Sequence, residues 1–323
     1  MNVRDAYAYI GSDMERVEKA LMDNLASNAA LVPLVGEYIT ISGGKRFRPA
    51  ILLLCARALG YRGRRAIDFA CVTEYMHTAS LLHDDVVDNA PMRRGKESAN
   101  SLFGNKISIL VGDFLFARAS EIMVKDGDLD LLGIFSRTLV QLSEGEVLQL
   151  TSSSSPDISE EAYLEIVFNK TASLISAASE TAAVIARGDG KTRRSLYEYG
   201  KNAGIAFQLM DDIIDYLGYE GETGKKRGQD LIEGKVTLPL IHTLSTCSRK
   251  DRAKIVGLLR REKTARVLDG IIDTVIGNGG IDYSRERARF FVEKAVTYLK
   301  GIPSSKAKKA LVSLTRYIVE RNR

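Results

Sequence analysis

The chain has 323 residues, 45% of them hydrophobic, which is enough apolar sequence for a large buried core. Its net charge is only +5, no long basic run is present, and tryptophan is absent. These features exclude a typical nucleic-acid-binding protein, in which lysines and arginines cluster among aromatic residues.

The N-terminal sequence and the cysteines predict a cytoplasmic protein. The first residues are charged throughout and lack the apolar segment of a signal peptide. No apolar run reaches the length of about 18 residues that a membrane-spanning helix needs. Cys55, Cys71 and Cys247 are an odd number of cysteines in ordinary helical sequence. We therefore expect them to be reduced.

Apolar residues recur at helical spacing along almost the whole chain. Ile107, Leu110, Val111, Phe114 and Leu115, for example, follow the spacing of one helix face. Alternating β-branched runs are scarce, only 6 prolines interrupt the chain, and no linker-like boundary is visible. The sequence predicts an all-α fold in which residues 1–323 form a single domain.

The first basic segment spans residues 43–49 and reads GGKRFRP. Its glycines allow the backbone to approach a phosphate closely, and Lys45 and Arg48 are spaced to converge on one anion. A solvated basic loop before a helix is the alternative interpretation, and the segment alone does not decide between them.

The next predicted helix ends in an acidic motif, DDVVD, formed by Asp84, Asp85 and Asp88. His77 lies two turns earlier on the same helix, where it is either a donor to a phosphate or a core histidine. Glu74 and His77 match half of a di-iron carboxylate signature. The second Glu-x-x-His pair that such a site needs is missing, which excludes it.

Further basic residues follow in two places. Arg93 and Arg94 are adjacent in a predicted loop directly after the acidic motif, where they can reach two different anions. A charged turn is the weaker alternative this close to an acidic helix. Lys170 and Thr171 lie in the middle of a later predicted helix.

A second acidic motif, DDIID, comprises Asp211, Asp212 and Asp215. A lysine-rich loop with Lys225 follows it, and Lys235 comes after that loop. The loop is a candidate lid that closes over a diphosphate and excludes water. For its neighbours, Lys226 and Arg227, a solvated surface position is the more natural interpretation.

The two acidic motifs together predict a metal-assisted diphosphate site. Positions four apart share a helix face, so Asp84 pairs with Asp88 and Asp211 with Asp215. So much negative charge is costly without a cation between the helices. Mg²⁺ takes oxygen ligands and combines one or two carboxylates with waters and substrate phosphates.

These residues resemble the all-trans isoprenyl diphosphate synthases, and in particular their long-chain polyprenyl members. The resemblance covers essentially the whole chain, with seven blocks in the family's order. The blocks are GGKRFRP (43–49), HTASLLHDDVVD (77–88), MRRG (92–95), GEVLQL (145–150), KTA (170–172), FQLMDD (207–212) and GKVTLP (234–239).

The resemblance implies a multi-helix bundle around a deep central cavity and assigns roles to individual residues. The implied isopentenyl diphosphate pocket consists of Lys45, Arg48, His77 and Arg94. The implied shell of the allylic diphosphate consists of Arg93, Lys170, Thr171, Gln208, Lys225 and Lys235. The implied metal ligands are Asp84, Asp88 and Asp211, with Asp85, Asp212 and Asp215 acting directly or through metal-bound water.

The resemblance further implies about three Mg²⁺ ions per active site and a homodimer. Relatives often carry a second acidic residue where Gln229 stands, which leaves its share in the metal-water shell open, although Asp230 remains. The implied reaction is ionisation of the allylic diphosphate, attack by isopentenyl diphosphate and loss of a proton. A terpene cyclase and a non-catalytic subunit are the competitors. The basic pocket disfavours the first, and two intact acidic motifs disfavour the second.

The residues before Asp84 bear on product length. Ala79 and Ser80 are small, whereas short-chain relatives carry a bulky aromatic residue there that closes the product tunnel. Deeper candidates for the floor are Phe116, Met123 and Phe135, although ordinary core packing explains each equally well. We expect a product of about eight isoprene units (about C40), within a range of about six to ten. Such a product would serve as a quinone side chain. A transient contact with a membrane surface for product delivery stays open.

Overall fold

The computed structural model describes residues 1–41, 44, 46–153, 155–218, 227–259 and 264–321. Within these ranges the regular structure is almost entirely helical, which confirms the predicted all-α fold class. The first helices are α1 (Val3–Tyr9), α2 (Gly11–Asp23), α3 (Leu31–Ile41), α4 (Phe47–Ala58), α5 (Arg65–Val87), α6 (Ala99–Phe103), α7 (Asn105–Asp126) and α8 (Leu129–Ser152). The later helices are α9 (Glu160–Val167), α10 (Ser173–Ile185), α11 (Gly190–Leu217), α12 (Gln229–Ile232), α13 (Leu238–Thr246), α14 (Arg249–Leu259), α15 (Ala265–Gly277), α16 (Gly280–Tyr298) and α17 (Lys306–Glu320).

Two long helices carry the acidic motifs at their C-terminal ends. Helix α5 has 23 residues and ends before Asn89, whose φ of 48° leaves the helical region. Helix α11 has 28 residues, and the Asp189 side chain accepts a hydrogen bond from the Thr192 backbone N–H at its start. The second motif therefore lies wholly within α11, whereas Asp88 of the first motif is the C-cap residue directly after α5.

Helix α10 is buried along nearly its whole length and packs closely against α11. A Cβ added at Gly200 or Gly204 would lie 2.6 Å from the backbone of the α10 side, at Ile175 O and Ala172 Cα respectively. The hydroxyls of buried Ser176 and Ser179 donate to carbonyls one turn earlier, so they carry no unpaired polar group. Small residues thus allow this close approach of the two helices.

A π-helical turn, Phe168–Ala172, joins α9 to α10 at the point where the sequence predicted plain helix. Gly145 on α8 faces it, and a Cβ there would lie 2.6 Å from the Lys170 backbone nitrogen. π-helical turns widen the helix locally and occur often at functional sites. This turn holds Lys170 and Thr171.

A short hairpin follows the first acidic motif. Strands β1 (Met92–Arg93) and β2 (Lys96–Glu97) pair antiparallel, with Arg93 opposite Lys96. Arg94 and Gly95 form the turn with φ angles of 52° and 75°, the geometry of a tight hairpin. The predicted loop is therefore a hairpin with Arg93 on its first strand and Arg94 in its turn.

Among the described helices, none combines the length and the apolar character that crossing a bilayer demands. The interpretation of residues 1–323 as one domain stays a prediction.

Candidate active site

Each carboxylate of the first acidic motif contacts a different cation. Asp84 Oδ2 lies 3.8 Å from Lys170 Nζ on the π-helical turn. Asp85 Oδ1 accepts a hydrogen bond of 2.6 Å from Arg93 Nε in the hairpin. Asp88 Oδ2 accepts one of 3.1 Å from Lys235, which precedes α13. Three distant segments thus meet at the end of α5.

The surroundings of Asp84 favour its protonated form. Burial is the largest cause that raises the pKa of Asp84, and the neighbouring carboxylates Glu146 and Asp88 act in the same direction, whereas Lys170 and Arg93 lower it. The net result is a pKa of about 6. Lys170 also forms an ion pair with Glu146 of α8. An added cation would relieve this crowding of negative charge.

Lys235 is held as a charged residue by several carboxylates. Burial alone would lower its pKa, but Asp230, Glu233 and Asp88 outweigh burial and raise it. Its Nζ lies 2.5 Å from Glu233 Oε2. Lys235 is therefore a fixed positive charge beside Asp88.

The three aspartates of the second acidic motif have different environments. Asp211 Oδ1 lies 2.8 Å from an Arg321 guanidinium nitrogen. Asp212 is 3% exposed and accepts hydrogen bonds from the Tyr163 hydroxyl and from Gln208 Nε2, the latter at 2.7 Å. Asp215 accepts from the first backbone N–H groups of the short helix α12.

Asp212 differs from Asp211 because both of its oxygens are engaged inside the protein. Burial and the charge of Asp230 raise the pKa of Asp212 well above its ordinary value, although Tyr163 and Gln208 act in the opposite direction. Its geometry suits a residue that orients Gln208. Gln229, the departure noted in the sequence, donates to Glu233 Oε1 at 2.7 Å.

The π-helical turn connects the two acidic motifs. Lys170 reaches Asp84 at the end of α5. The adjacent Thr171 donates a 2.8 Å hydrogen bond to Gln208 Oε1, and Gln208 in turn binds Asp212. Two adjacent residues, Lys170 and Thr171, thus contact both helices that carry the acidic motifs. The sequence alone did not predict this connection.

A group of basic residues lies behind the first acidic motif, in which Arg48 and His77 are half-buried and Arg94 is exposed. Arg48 Nε is buried without a hydrogen-bond partner among the described residues. Burial, followed by the charges of Arg48 and Arg94, lowers the pKa of His77 well below 6.5. Burial and Arg93 lower the pKa of Arg94 in the same way. An anion placed here would relieve the mutual repulsion of these cations. Lys45, predicted for the same pocket, lies outside the described residues, as does Lys225 of the predicted lid.

Arg46 has a different role from its neighbour Arg48. Its guanidinium binds Glu18 Oε1 at 2.6 Å and Glu74 Oε1 at 2.7 Å, and its φ of 46° lies in the left-handed region. These contacts fix the start of α4 and thereby the position of Arg48.

The donor set fits a hard divalent cation. Asp84, Asp88 and Asp211 supply carboxylate oxygens. Each forms an ion pair with a lysine or arginine side chain, and a metal cation would take the place of that side chain as the partner of the carboxylate. Asp85 Oδ2 is buried and accepts no hydrogen bond from the described residues. No three His, Cys, Asp or Glu side chains converge on one point in the described ranges. Mg²⁺ commonly completes its coordination with waters and phosphate oxygens, so a site shared with a diphosphate needs no such cluster.

Four of the predicted product-length residues, Ala79, Phe116, Met123 and Phe135, lie in apolar packing, and Ser80 is half-buried. Ala79 is fully buried on α5, and Ser80 donates to the His77 carbonyl at 2.8 Å. Phe135 is also fully buried and stacks on Phe69 with ring centroids 5.8 Å apart. Phe116 lies with its ring centroid 5.7 Å from that of His83, and Met123 is 8% exposed. Their role in product length stays a prediction.

Sequence reasoning missed four residues that touch the predicted site. Glu146 lies inside one of the matched blocks, which was the available signal, but no role was inferred for it. Tyr163 and Arg321 carried no local signal, because their contacts join segments far apart in the chain. Glu233 lies two residues before Lys235, which it contacts, but no role was inferred for it.

Comparison with known proteins identifies this arrangement. The polyprenyl synthetase family model matches residues 30–275. This chain belongs to the polyprenyl synthetase family. It is 38% identical to the octaprenyl diphosphate synthase of Escherichia coli over 323 residues, which cover 100% of both chains. It is also 38% identical to a geranyl-diphosphate-specific all-trans-nonaprenyl-diphosphate synthase of Rhodobacter capsulatus, over 98% of each chain.

Solved structures agree with this assignment. The polyprenyl synthase of Caulobacter crescentus, complexed with calcium and isoprenyl diphosphate, superposes with a TM-score of 0.95 and 38% identity. The superposition covers 100% of this chain and 98% of that one. The predicted family and the predicted enzyme class, a prenyltransferase that makes polyprenyl diphosphates, are therefore confirmed for this polyprenyl synthetase.

Proposed function

We propose that this synthase condenses isopentenyl diphosphate repeatedly onto an allylic diphosphate and releases an all-trans product of about eight isoprene units (about C40). The observation that carries the proposal is the pair Lys170 and Thr171, which reach both acidic motifs from one π-helical turn. A diphosphate bound between the motifs would lie against that turn.

The allylic diphosphate is the leaving group of the reaction. Lys170, Arg93 and Lys235 are already placed against carboxylates of the first motif, so they surround the position of its phosphate oxygens. Positive charge fixed there stabilises the negative charge that develops as the allylic C–O bond breaks. Lys225, which is predicted for the same shell, would add a further positive charge that stabilises the leaving diphosphate.

Mg²⁺ bound by Asp84, Asp88 and Asp211, in about three ions per site, would neutralise the leaving diphosphate and orient it. Asp85, Asp212 and Asp215 would act indirectly, by holding neighbouring groups of the site in position. Asp85 does so through Arg93, Asp212 through Gln208, and Asp215 through the start of α12.

Isopentenyl diphosphate is assigned to the basic group formed by Arg48, Arg94, His77 and Lys45. Because His77 is held neutral by burial and neighbouring arginines, it can donate only one ring N–H to a phosphate oxygen. The arginines then supply the charge. The unpartnered Arg48 Nε supports an anionic occupant.

The condensation needs no nucleophile from the protein. As the allylic cation forms, the C3–C4 double bond of isopentenyl diphosphate attacks its C1, and a C–C bond replaces the broken C–O bond. The proton lost from C2 passes to the released diphosphate, and a new allylic double bond forms. Thr171 and Gln208 place oxygen atoms beside the cation, and exclusion of water prevents its capture.

Product length is assigned to the apolar packing below the first motif. Ala79 leaves the space beside α5 open to a growing chain. Phe116, Met123 and Phe135 are proposed as its deeper limits. A product of this length is suited to the side chain of a quinone, and its apolarity favours delivery through a transient contact with a membrane surface.

The synthase is proposed to act as a homodimer in the cytoplasm, with farnesyl diphosphate or a similar primer. Large apolar side chains are exposed along one pair of helices, an arrangement that favours a protein interface. They are Ile109, Leu110 and Val124 on α7 and Leu129, Val140, Val147 and Leu150 on α8. All three cysteines are unpaired, which is consistent with a reducing compartment.

The test is an incubation with farnesyl diphosphate, labelled isopentenyl diphosphate and Mg²⁺, followed by dephosphorylation and chromatography of the prenols. We expect a ladder that ends at one prenol of about C40. A folded protein that elongates nothing contradicts the proposal. A ladder that ends elsewhere contradicts only the proposed length.

A further inference from the structure

Two lysines at the end of α5 are each shared between an aspartate of the first acidic motif and a glutamate outside both motifs. Lys170 Nζ lies 3.8 Å from Asp84 Oδ2 and nearer still to Glu146 Oε2 on α8. The other oxygen of Glu146 is buried and accepts no hydrogen bond from the described residues, so Lys170 is the described partner that holds this carboxylate. We call Asp84, Lys170 and Glu146 the first lysine bridge.

The second lysine bridge repeats this arrangement one helical turn later and consists of Asp88, Lys235 and Glu233. Lys235 Nζ lies 3.1 Å from Asp88 Oδ2 and 2.5 Å from Glu233 Oε2. Glu233 is the C-cap residue of α12, and its Oε1 accepts a 2.7 Å hydrogen bond from Gln229 Nε2. Gln229 thereby fixes the carboxylate that holds Lys235. In both bridges the glutamate is the nearer partner of the lysine.

Both lysine bridges are largely closed off from solvent. Between 17% and 21% of each of their side chains is exposed. Removing one partner of such a buried ion pair is costly, because it leaves an uncompensated charge. A metal that binds the aspartate must displace the lysine from it. Because the lysine keeps its glutamate, no ammonium group is left unpaired when the metal enters.

We propose that the glutamate of each lysine bridge is a positioning residue that draws the lysine off the aspartate. The aspartate is then open to Mg²⁺, while the lysine stays within reach of the diphosphate. If the glutamate were absent, the lysine would pair fully with the aspartate and compete with the metal for the same oxygens. The inference rests on the proposed function, because it takes the metal at the aspartates and the diphosphate at the lysines.

The binding test follows Mn²⁺ by electron paramagnetic resonance in protein freed of metal and diphosphate, at pH 8. Glu146→Gln should weaken Mn²⁺ binding by about tenfold, because Lys170 then pairs with Asp84 alone. Glu144→Gln removes the same charge from an exposed position of α8 and should bind Mn²⁺ as the unmodified protein does. Equal binding by Glu146→Gln and Glu144→Gln overturns the proposal.

A second background separates positioning from direct attraction of the metal. Lys170→Gln removes the competing cation, so it should bind Mn²⁺ more tightly than the unmodified protein does. If Glu146 acts through Lys170, the added change Glu146→Gln should then alter binding by less than about twofold. A loss of about tenfold in this background as well would show that Glu146 attracts the metal directly, and it would overturn the positioning role.

The second lysine bridge is tested through the Mg²⁺ dependence of turnover. Glu233→Gln should raise the Mg²⁺ concentration at half-maximal rate by about tenfold, and excess Mg²⁺ should restore kcat. A merely structural defect would lower kcat at every Mg²⁺ concentration, and that result would overturn the role of Glu233. Gln229→Ala, which removes the hydrogen bond to Glu233 Oε1, should shift the Mg²⁺ dependence in the same direction by a smaller factor.

The binding experiment also separates this inference from the proposed function. Unmodified protein that binds no Mn²⁺ would contradict the proposed metal role of Asp84 and Asp88. Normal Mn²⁺ binding that Glu146→Gln leaves unchanged would overturn the positioning role alone.

Discussion

The hydroxyl of Tyr163 donates a hydrogen bond to Asp212 across 49 residues of sequence, and both groups are buried. Gln208 occupies the other oxygen of the same carboxylate and accepts from Thr171. The second residue of the second acidic motif is thereby tied to the protein interior, while Asp211 faces Arg321. Adjacent aspartates of one motif thus have different structural environments.

Tyr163→Phe should slow the reaction and move its pH dependence. The change removes a hydrogen bond that lowers the pKa of Asp212, so that pKa rises further. If ionised Asp212 is needed to orient Gln208, the acid limb of kcat/KM moves to higher pH and kcat falls by about tenfold. The measurement is a pH–rate profile of both proteins.

Tyr199→Phe is the matched control for that variant. Tyr199 is an equally buried tyrosine whose hydroxyl pairs with Thr315 at 2.9 Å, away from the acidic motifs. It should lose stability by a similar amount, about 1 kcal/mol, and keep the original pH profile. If both variants shift the profile alike, Tyr163 has no specific role.

Asp84→Asn should abolish turnover and yet stabilise the metal-free protein at neutral pH. The folded-state pKa of Asp84 is raised to about 6 from 3.8, so the folded state binds the proton more tightly than the unfolded state does. The stability from this proton is present at low pH and is lost as pH rises through about 6. At pH 7 the ionised carboxylate therefore costs up to about 2 to 3 kcal/mol, which the amide avoids.

Denaturant unfolding at pH 4.5 and pH 7 in EDTA measures this effect, and Asp282→Asn at an exposed position is the control. We expect the gain from Asp84→Asn to be larger at pH 7. Near-normal turnover by Asp84→Asn or Asp84→Ala would refute the metal role of Asp84, and a gain independent of pH would refute the electrostatic argument.

Ala79→Phe should shorten the product while the first condensations continue. Ala79 is fully buried on α5 below the first motif, so a phenyl ring there takes the space assigned to the growing chain. Chromatography of the dephosphorylated products measures the change, and circular dichroism verifies the fold. Thr297→Phe, which adds a ring at an exposed position of α16, should leave the product length unchanged. An unaltered ladder from a folded Ala79→Phe protein would disprove the open-tunnel interpretation.

His77→Gln should reduce the loss of stability in mild acid. Burial and the nearby arginines hold the pKa of His77 well below 6.5, so the unfolded state binds its proton more readily. The stability that neutral His77 contributes is present above pH 6.5 and is lost as pH falls below that value. Unfolding free energies between pH 5 and pH 7 should therefore depend less on pH in the variant.

His242→Gln is the comparison for that experiment, since His242 stacks on Tyr283 outside the predicted site. It should keep the pH dependence of the unmodified protein. An identical slope for His77→Gln and the unmodified protein would show that His77 does not titrate on unfolding in this range.

The fold class and the acidic residues could be predicted from sequence because their signals are local. Helical periodicity needs only neighbouring residues, and the spacing within DDVVD and DDIID places carboxylates on one helix face whatever surrounds the helix. The blocks around Arg48, His77, Arg94 and Lys170 are equally local, and the family comparison confirmed the enzyme class that they predicted.

The partners of those residues depended on tertiary packing. Tyr163 reaches Asp212, and Arg321 reaches the Phe207 carbonyl across 114 residues. The exact geometry of the π-helical turn depends on contact with Gly145 of α8. Sequence by itself determined which charged groups the chain carries and on which helices they lie. Only the folded structure decided how those charges pair, how strongly burial shifts their pKa values, and where an arginine is left without an acceptor, because each of these depends on segments that meet only after folding.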